Sequence, residues 1–446
     1  MPFDSGTTFF HITTFGCLMN AHDSEIIAGL LSERGMMQTD DPACASVEII
    51  NTCSVRENAD KRFFGTLGTL KKRKKTDPSF IVCVCGCMMQ QQSVVDEIKA
   101  KYPWVDVVFG THNIHEIPAL IEEARAGQTG IIDVLPDSSE IVEGLPVKRL
   151  FKHKSLVNIM YGCNNFCTYC IVPYTRGREK SRSPEAVVSE IRMLAEDGVK
   201  EVMLLGQNVN SYRGLSESGD VTDFPGLIRQ INDLDGIERI RFMTSHPKDL
   251  SDRLIDAFTE CDKLCRNIHL PVQCGSDEIL RRMNRHYTRE GYLSLVEKLR
   301  AAVPEITIST DIIVGFPGET EEDFEYTLSL VREVRYDSAF TFLYSKRNGT
   351  PAAKYEDQIP EEVKHERFNR LVEAVNEISA EKNAAYVGLV EKIIVDEKGK
   401  TEGTLSGRTD GFKLVNFKAS DDLIGKDVNV KITDAKTFSL FGELVR

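Results

Sequence analysis

Three cysteines between residues 163 and 170 constrain this chain more than any other feature of its sequence. They are Cys163, Cys167 and Cys170, which gives the spacing Cys-x3-Cys-x2-Cys. Cysteine thiolates hold the irons of a cubane iron–sulfur cluster, and three thiolates leave one of its four irons open to a small chelating molecule. Zinc sites usually combine paired cysteines or cysteine with histidine, and no histidine lies in this stretch. The spacing therefore favours an iron–sulfur cluster over a zinc knuckle.

The first part of the chain alternates between strand-like and helix-like runs, which predicts an open parallel α/β sheet. Cys17, Cys53 and Cys87 follow the first three predicted strands, which cover residues 9–15, 47–50 and 80–84. The carboxyl ends of parallel strands meet at one edge of a sheet, where ligands bind. The pattern therefore indicates a second cluster held by these three thiols. The alternative is that they are small buried side chains, since free cysteine is commonly buried.

Because of two further cysteines, the sequence alone does not decide which residue is the third ligand of the N-terminal cluster. Cys83 and Cys85 lie at the end of the third predicted strand, and with a period of two they share a face with Cys87. We favour Cys87 as the ligand because it lies at the loop end, beside Gly86.

Residues 148–380 contain six strand–helix repeats, which predict a partial (β/α)6 barrel of parallel strands resembling a TIM barrel. The predicted strands cover residues 155–160, 202–205, 239–243, 268–271, 306–314 and 339–344. Functional groups of such barrels cluster at the carboxyl ends of the strands. Loop capping explains the presence of each single polar residue at these ends as well as contact with a cofactor does. Their shared position favours the interpretation that they surround one cavity. The candidate cofactor contacts are Tyr169, Gln207, Asn208, Ser245, Gln273, Thr310 and Asp311.

From residue 381 onward the pattern changes to short strands with glycine turns, which predicts a small antiparallel β-barrel. Barrels of this size often bind oligonucleotides. Phe412 and Lys413 are candidate contacts, although Phe412 fits the core equally well.

The formal net charge of −13 argues against a globally basic nucleic-acid binder, but not against a local basic patch. One basic group directly follows the cysteine loop, where it predicts an anionic substrate at the rim of the site. Solvated surface charge is the competing interpretation. The members of this group are Arg176, Arg178, Lys180 and Arg182.

These changes of pattern divide the chain, which is of the α/β class, into four segments. We expect an N-terminal cluster domain over residues 7–125, a linker over 126–147, a barrel core over 148–380 and the small barrel over 381–446.

No apolar run is long enough to cross a membrane, and the N-terminus lacks the apolar segment of a signal peptide. We therefore expect a cytoplasmic protein. In that compartment, the 12 cysteines indicate metal or redox chemistry rather than disulfides.

The chain resembles the radical S-adenosylmethionine (SAM) methylthiotransferases over almost its full length. The match includes the three N-terminal cysteines, the loop over residues 161–170 and the C-terminal segment, which resembles a TRAM domain. Within the family, the chain is most similar to the enzymes that act on N6-isopentenyladenosine at position 37 of tRNA. Two further strings carry the resemblance, Asn51-Thr52-Cys53-Ser54-Val55-Arg56 and Arg176-Gly177-Arg178-Glu179.

The resemblance implies a transferase with two [4Fe-4S] clusters, one held by Cys17, Cys53 and Cys87 and the other by the cysteine loop. One SAM methylates sulfur on the N-terminal cluster. A second SAM is cleaved at the other cluster, and the 5′-deoxyadenosyl radical removes hydrogen from C2 of the adenine, which then receives the methylthio group. An aromatic C–H bond is too weak an acid for removal by a general base, so the chemistry comes from cofactors and no catalytic side chain is expected.

The implied partners are the anticodon stem-loop of a tRNA that carries isopentenyladenosine, and a one-electron donor such as flavodoxin. No membrane partner is implied. Two alternatives stay open. One is a methylthiotransferase for threonylcarbamoyladenosine in tRNA or for a protein side chain. The other is a non-enzymatic two-cluster electron carrier. The TRAM-like segment and the basic group favour RNA over protein, and the six-repeat barrel is far larger than an electron carrier needs.

Overall fold

The first part of the chain builds a parallel sheet of six strands in the order β2-β1-β3-β4-β5-β6. The structure, a computed structural model, describes residues 8–54, 57–136 and 141–445; Val55 and Arg56, in one of the strings above, lie outside them. Strands β3 and β4 are buried along their whole length, as expected of a parallel sheet covered on both faces. The elements are β1 (Phe9–Thr14), α1 (Leu18–Glu33), β2 (Met37–Gln38), β3 (Val47–Thr52), α2 (Glu57–Thr76), β4 (Ile81–Gly86), α3 (Gln92–Lys101), β5 (Val107–Phe109), α4 (Ile117–Arg125) and β6 (Ile131–Asp133).

The linker prediction is wrong in part. Residues 131–133 form β6, which pairs in parallel with β5 and extends the sheet. The strand is only 3 residues long, too short for its pattern to stand out among the glycines on either side.

The central part contains six parallel strands in chain order, arranged as two sheets, β7-β10-β13 and β14-β15-β16. Residues 263–265 bond with β13 and so connect the two sheets, with Cys265 N 3.0 Å from the Ile240 carbonyl. These strands and the helices around them confirm the predicted partial barrel. Two short antiparallel pairs, β8 with β9 and β11 with β12, lie outside these sheets. The strands of the central part are β7 (Lys154–Asn158), β8 (Met160–Tyr161), β9 (Lys180–Ser181), β10 (Glu201–Leu205), β11 (Arg213–Leu215), β12 (Val221–Asp223), β13 (Arg239–Phe242), β14 (Asn267–His269), β15 (Thr307–Val314) and β16 (Ser338–Leu343).

The helices cover the outer face of this barrel. The first long one, α6, begins where the sequence predicts: the Ser183 hydroxyl accepts a hydrogen bond from Ala186 N at 3.2 Å, with Pro184 in the first turn. The last, α12, ends beyond residue 380, so the predicted domain boundary falls inside a helix. The helices are α5 (Val172–Thr175), α6 (Pro184–Glu196), α7 (Phe224–Asn232), α8 (Asp252–Glu260), α9 (Asp277–Arg282), α10 (Arg289–Ala302), α11 (Glu321–Val334) and α12 (Glu361–Ala384).

A closed five-stranded barrel follows α12, as predicted, in the order β17-β18-β19-β21-β20. Its pairings are antiparallel except that of β19 with β21, which is parallel. The strands are β17 (Val390–Lys398), β18 (Thr404–Arg408), β19 (Leu414–Lys418), β20 (Asp427–Lys436) and β21 (Ser439–Leu444). No helix in the part of the chain that the structure describes is long and apolar enough to cross a membrane.

The loop between β18 and β19 docks on the amino ends of the central strands. Arg241, buried at the start of β13, donates hydrogen bonds to the carbonyls of Thr409 and Asp410 at 2.8 Å each. The Phe412 ring lies 5.0 Å from the Arg241 guanidinium and packs with inward-facing barrel residues. The C-terminal barrel therefore forms the floor of the central barrel, at the end opposite the strand tips.

Candidate active site

The three predicted N-terminal cysteines come together around one side chain, Asn20 in α1. The Oδ1 atom of Asn20 lies 3.7 Å from the Sγ of Cys17 and 3.7 Å from the Sγ of Cys87. The Cys53 thiol is hydrogen-bonded to Cys17. Cysteines separated by more than 30 residues in sequence therefore converge because β1, β3 and β4 are neighbours in the sheet.

Two glycines let the three loops approach this closely. A Cβ on Gly16 would lie 2.5 Å from the Cβ of Cys53, and one on Gly86 would lie 2.2 Å from the Thr52 carbonyl. Their φ angles, 129° and 95°, also favour glycine. Asn20 holds the loops from the other side, because its Nδ2 donates to the Thr52 carbonyl at 2.8 Å. The backbone at all three strand ends is thus fixed by packing.

The thiols differ in their environments. The hydrogen bond with Cys53 lowers the pKa of the Cys17 thiol to about 6. Burial raises the pKa of Cys87. Cys53 and Cys87 are buried, whereas Cys17 is exposed, which leaves one side of the group open. A bound metal would deprotonate all three thiols.

An iron–sulfur cluster fits both cysteine groups better than a single ion. Among the residues that the structure describes, no three His, Cys, Asp or Glu side chains lie close enough together to hold one metal ion. A four-iron cubane spaces its thiolates more widely. The candidate donor atoms of each group are three cysteine thiols, and cysteine thiolates are the usual ligands of such clusters.

The cysteine pair inside strand β4 lies apart from this group. Cys83 and Cys85 are buried in the hydrophobic core on the face of the sheet that α1 and α4 cover, and burial raises the pKa of both thiols strongly. They pack among apolar side chains such as Val107 and Phe109. This environment supports Cys87 as the third ligand and a packing role for the other two.

We expect the double variant Cys83→Ala/Cys85→Ala to keep both clusters. Removing two small buried side chains should destabilise the sheet by roughly 1–3 kcal/mol without changing the iron content. The measurement is iron per chain after anaerobic reconstitution, compared with Cys87→Ala. Loss of the N-terminal cluster in the double variant, with Cys87→Ala unaffected, would reverse the assignment.

Arg176 joins the N-terminal cysteine group to the barrel domain. Its Nε donates to Cys87 Sγ at 3.0 Å, and its Nη2 contacts Asn20 Oδ1 at 3.1 Å and Asp23 Oδ2 at 2.6 Å. Arg176 and Asp23 are both buried, so the charges compensate each other. Met19 packs nearby against Met203 and Leu205 of the barrel. The N-terminal thiols therefore lie directly against the barrel.

A small cavity opens beside Arg176 at this junction. Its volume is about 80 Å³. The lining includes side chains from the sheet, from residues 141–145 and from the barrel. Its polar members are Asp23, Thr111, His112, His115, Tyr161, Arg176 and Lys180.

The second cysteine group lies in one tight loop after β8. Cys170 N donates to the Cys167 carbonyl at 2.9 Å, and Phe166 takes a left-handed φ of 46° that bends the chain between the thiols. Burial raises the pKa of Cys163 to about 11 and that of Cys170 to about 12. The buried Arg285 contacts Cys167 Sγ at 3.4 Å, so each cysteine group has one buried arginine against one thiol.

Unsatisfied polar atoms line the strand ends beside this loop. Among the described residues, several buried polar atoms there have no hydrogen-bond partner, which is costly unless a ligand supplies one. Three of the residues that carry these atoms, Gln207, Asn208 and Ser245, are predicted cofactor contacts. The other two, Asn158 at the end of β7 and His246 after β13, were not predicted from the sequence. Burial lowers the pKa of His246 to about 2, so its imidazole is neutral. The atoms are Asn158 Oδ1 and Nδ2, Gln207 Oε1, Asn208 Oδ1, Ser245 Oγ and His246 Nε2.

The remaining predicted cofactor contacts are less uniform. The Thr310 hydroxyl donates to the Leu270 carbonyl at 3.0 Å and accepts from Val272 N at 2.9 Å, so it is fully used inside the sheet. These two hydrogen bonds argue against a cofactor contact by the Thr310 hydroxyl. Gln273 is buried with a φ of 69°, and Asp311 is half-exposed on the inner face of β15. Tyr169 packs against an apolar cluster that contains Cys274.

Three of the six predicted RNA contacts, Arg176, Arg182 and Lys413, are buried and ion-paired. Arg176 is bound to Asp23 as described, and Arg182 forms ion pairs with Glu143 and Glu190. Asp23 and Glu143 are distant in sequence, so the sequence pattern does not reveal these two pairings. The burial and pairing of both arginines argue against their contact with RNA phosphates.

The C-terminal candidates are also turned inward. Lys413 is buried, with its Nζ 3.4 Å from an Asp337 oxygen, and Phe412 lies in the floor of the barrel. These positions argue against RNA contact by either residue. Arg178 and Lys180 remain predicted RNA contacts. Arg178 is exposed, with its guanidinium 4.4 Å above the Phe166 ring, and Lys180 is half-buried.

The two neighbouring arginines should behave differently when replaced. Arg176→Ala leaves the Asp23 carboxylate buried and unpaired, so we expect a loss of about 3 kcal/mol in the free energy of unfolding, with the salt dependence of RNA binding unchanged. Arg178→Ala should leave stability unchanged and reduce the slope of log Kd against log salt by roughly 0.7–0.9. Urea unfolding and RNA binding at several salt concentrations test both. The opposite pattern would return Arg176 to the RNA surface.

Three family profiles cover most of the chain. The radical SAM superfamily matches residues 157–331, and the TRAM domain matches residues 384–445. The N-terminal sheet, residues 9–110, matches a family described as "Uncharacterized protein family UPF0004".

Curated relatives match almost end to end. The "tRNA-2-methylthio-N(6)-dimethylallyladenosine synthase" of Clostridium botulinum (strain Loch Maree / Type A3) is 56% identical over 97% of this chain and 96% of its own length. The protein of the same name from Alkaliphilus oremlandii is 56% identical over 98% of this chain and 93% of its own. Among solved structures, the radical SAM methyltransferase TsrM from Kitasatospora setae, with cobalamin and a [4Fe-4S] cluster bound, aligns with a TM-score of 0.54. It covers 90% of this chain and 81% of that chain at 16% identity, so this likeness concerns the fold.

Proposed function

The chain belongs to the radical SAM tRNA methylthiotransferases, and from this membership we propose that it transfers a methylthio group to C2 of N6-isopentenyladenosine at position 37 of tRNA. Membership of the radical SAM superfamily implies a [4Fe-4S] cluster and SAM. The second cluster, at Cys17, Cys53 and Cys87, is part of our proposal. When bound, these groups supply one-electron cleavage of SAM and the sulfur that is methylated and transferred.

The observation that carries the proposal is that the N-terminal thiol group lies against the barrel domain, which holds the second thiol group in a loop of its own. The N-terminal thiols lie against the barrel through Arg176 and Met19. The other thiols occupy the loop directly before Arg176 in the chain. An electron carrier needs no open face beside its clusters, whereas a methylthiotransferase must admit a base. The open side at Cys17 and the unsatisfied strand ends favour the enzyme.

The protein's own residues bind and orient the reactants. We assign the polar atoms at the ends of β7, β10 and β13 to the amino acid and nucleoside groups of SAM, because these atoms otherwise lack partners. Asn20 and Arg176 fix the thiols at the N-terminal sheet. Phe412 packs at the amino end of the barrel strands, so the strand tips at the opposite end are the side from which substrate would approach.

The partners follow from the same proposal. Arg178 and Lys180 are the remaining candidates for contacts with the phosphates of the anticodon stem-loop. We propose the cytoplasm as the compartment, in keeping with the proposed tRNA substrate. A one-electron donor such as flavodoxin is required by the chemistry and stays a prediction.

The test is mass spectrometry of nucleosides after reaction of anaerobically reconstituted protein with SAM, dithionite and tRNA. We expect the 2-methylthio derivative of isopentenyladenosine together with 5′-deoxyadenosine. A parallel reaction uses tRNA that carries threonylcarbamoyladenosine. Modification of that RNA alone would favour the first alternative function. Absence of 5′-deoxyadenosine in all reactions would favour the electron carrier.

A further inference from the structure

Two phenylalanines on the last barrel strand are exposed where the rest of the barrel is packed. Phe340 and Phe342 in β16 expose 53% and 44% of their surface. Within the described residues, β16 pairs only with β15 and forms the open edge of the barrel. Large exposed aromatic side chains are uncommon in a structural strand and mark binding surfaces when they lie together.

The strand register shows that both rings face the inside of the barrel. Phe340 is opposite Asp311, and Phe342 is opposite Ile313. The alternate residues of β15, such as Ile312, pack against the outer helices. Parallel partners point to the same face, so Phe340 and Phe342 belong to the inner face.

Neighbouring contacts agree with this placement. The Phe340 ring lies 5.8 Å from the ring of His269, whose Nδ1 is 3.0 Å from the Ser309 hydroxyl. His269 Nε2 is 3.4 Å from Asp311 Oδ1. The inner face of β14–β16 thus presents two aromatic rings beside a small polar group, whereas the unsatisfied polar atoms assigned to SAM lie at the ends of β7, β10 and β13.

We propose that Phe340 and Phe342 form the subsite for the dimethylallyl group of the substrate adenine. The proposal rests on the proposed function and adds the residues that select this substituent. A branched five-carbon alkenyl group is neutral and apolar, and it gains by leaving water for the faces of two aromatic rings. The half-exposed rings provide that surface without rearrangement of the core.

The charge on the same face argues against the other candidate substituents. A threonylcarbamoyl group carries a carboxylate, which would meet the Asp311 carboxylate beside Phe340. Like charges brought together at a binding surface suppress the wrong partner. A neutral substituent avoids this repulsion.

The experiment compares the binding of two anticodon stem-loop RNAs, one with isopentenyladenosine and one with adenosine at the target position. Fluorescence anisotropy gives the Kd for each, with wild type, Phe342→Ala and Phe340→Ala/Phe342→Ala. We expect wild type to prefer the prenylated RNA and the double variant to lose on the order of tenfold of that preference, since one apolar methylene already discriminates about 10-fold or more. The affinity for the unmodified RNA should stay the same.

Phe438→Ala is the matched control, because Phe438 is 76% exposed but lies in the turn of the C-terminal barrel. It should keep the wild-type ratio of Kd values. Iron content reports correct assembly of each variant. Equal affinity of wild type for the two RNAs, or an unchanged ratio in the double variant, would overturn the proposal. Failure of wild type to methylthiolate the prenylated RNA would instead contradict the proposed function.

Discussion

A variant with Cys17, Cys53 and Cys87 all replaced by alanine is expected to cleave SAM but to make no methylthioadenosine. The reason is the separation of the two thiol groups. One group lies at the ends of β1, β3 and β4, and the other lies in a single loop of the barrel. The polar strand ends that we assign to SAM belong to the barrel alone. The measurement is 5′-deoxyadenosine and modified nucleoside in the same dithionite-reduced reaction.

The Cys83→Ala/Cys85→Ala variant serves as the control, since it removes thiols from the same strand end and should form both products. The triple variant should contain about half of the wild-type iron if both clusters are cubanes. Methylthiolated tRNA produced by the triple variant over several turnovers would show that the N-terminal group is not the sulfur-carrying site.

The second large effect concerns the barrel loop. Replacing Cys163, Cys167 and Cys170 together by alanine should lower the iron content from about eight atoms to about four per chain. Neither 5′-deoxyadenosine nor methylthioadenosine should form, because the remaining thiols lie outside the SAM site. Iron analysis and the same paired product assay test this.

Cys261→Ala/Cys265→Ala is the matched control for that experiment. Both side chains are buried in the same barrel domain. The Cys265 thiol lies close to Arg241, which contacts the C-terminal barrel at the floor. This variant should keep all of the iron. Full iron content in the loop variant would contradict the assignment of the first cluster.

The fold could be predicted from the sequence because the patterns that indicate its strands and helices are local. Alternating strand and helix patterns predicted the parallel sheet, the six-repeat barrel and the small C-terminal barrel. The cysteines were accessible for a related reason. Each lies directly after a predicted strand or inside one short loop, so topology alone brings them to shared edges.

The roles of the charged and aromatic residues could not be predicted from the sequence in the same way. Whether Arg176 faces RNA or a buried carboxylate depends on Asp23, which lies more than 150 residues away in sequence. Lys413 and Phe412 resemble surface residues of a barrel loop until that loop docks on Arg241. Phe340 and Phe342 fit an ordinary strand pattern, and only the open edge beside β16 leaves them uncovered.

The docked loop over residues 408–413 also has a consequence for how the protein is made. The ribosome delivers the barrel strands well before this loop, and domains generally begin to fold as they emerge. Until the loop arrives, the buried guanidinium of Arg241 lacks two of its acceptors, the carbonyls of Thr409 and Asp410. We therefore expect the nascent barrel to stay loose at its amino end through most of translation, with its final closure timed by the synthesis of the C-terminal segment.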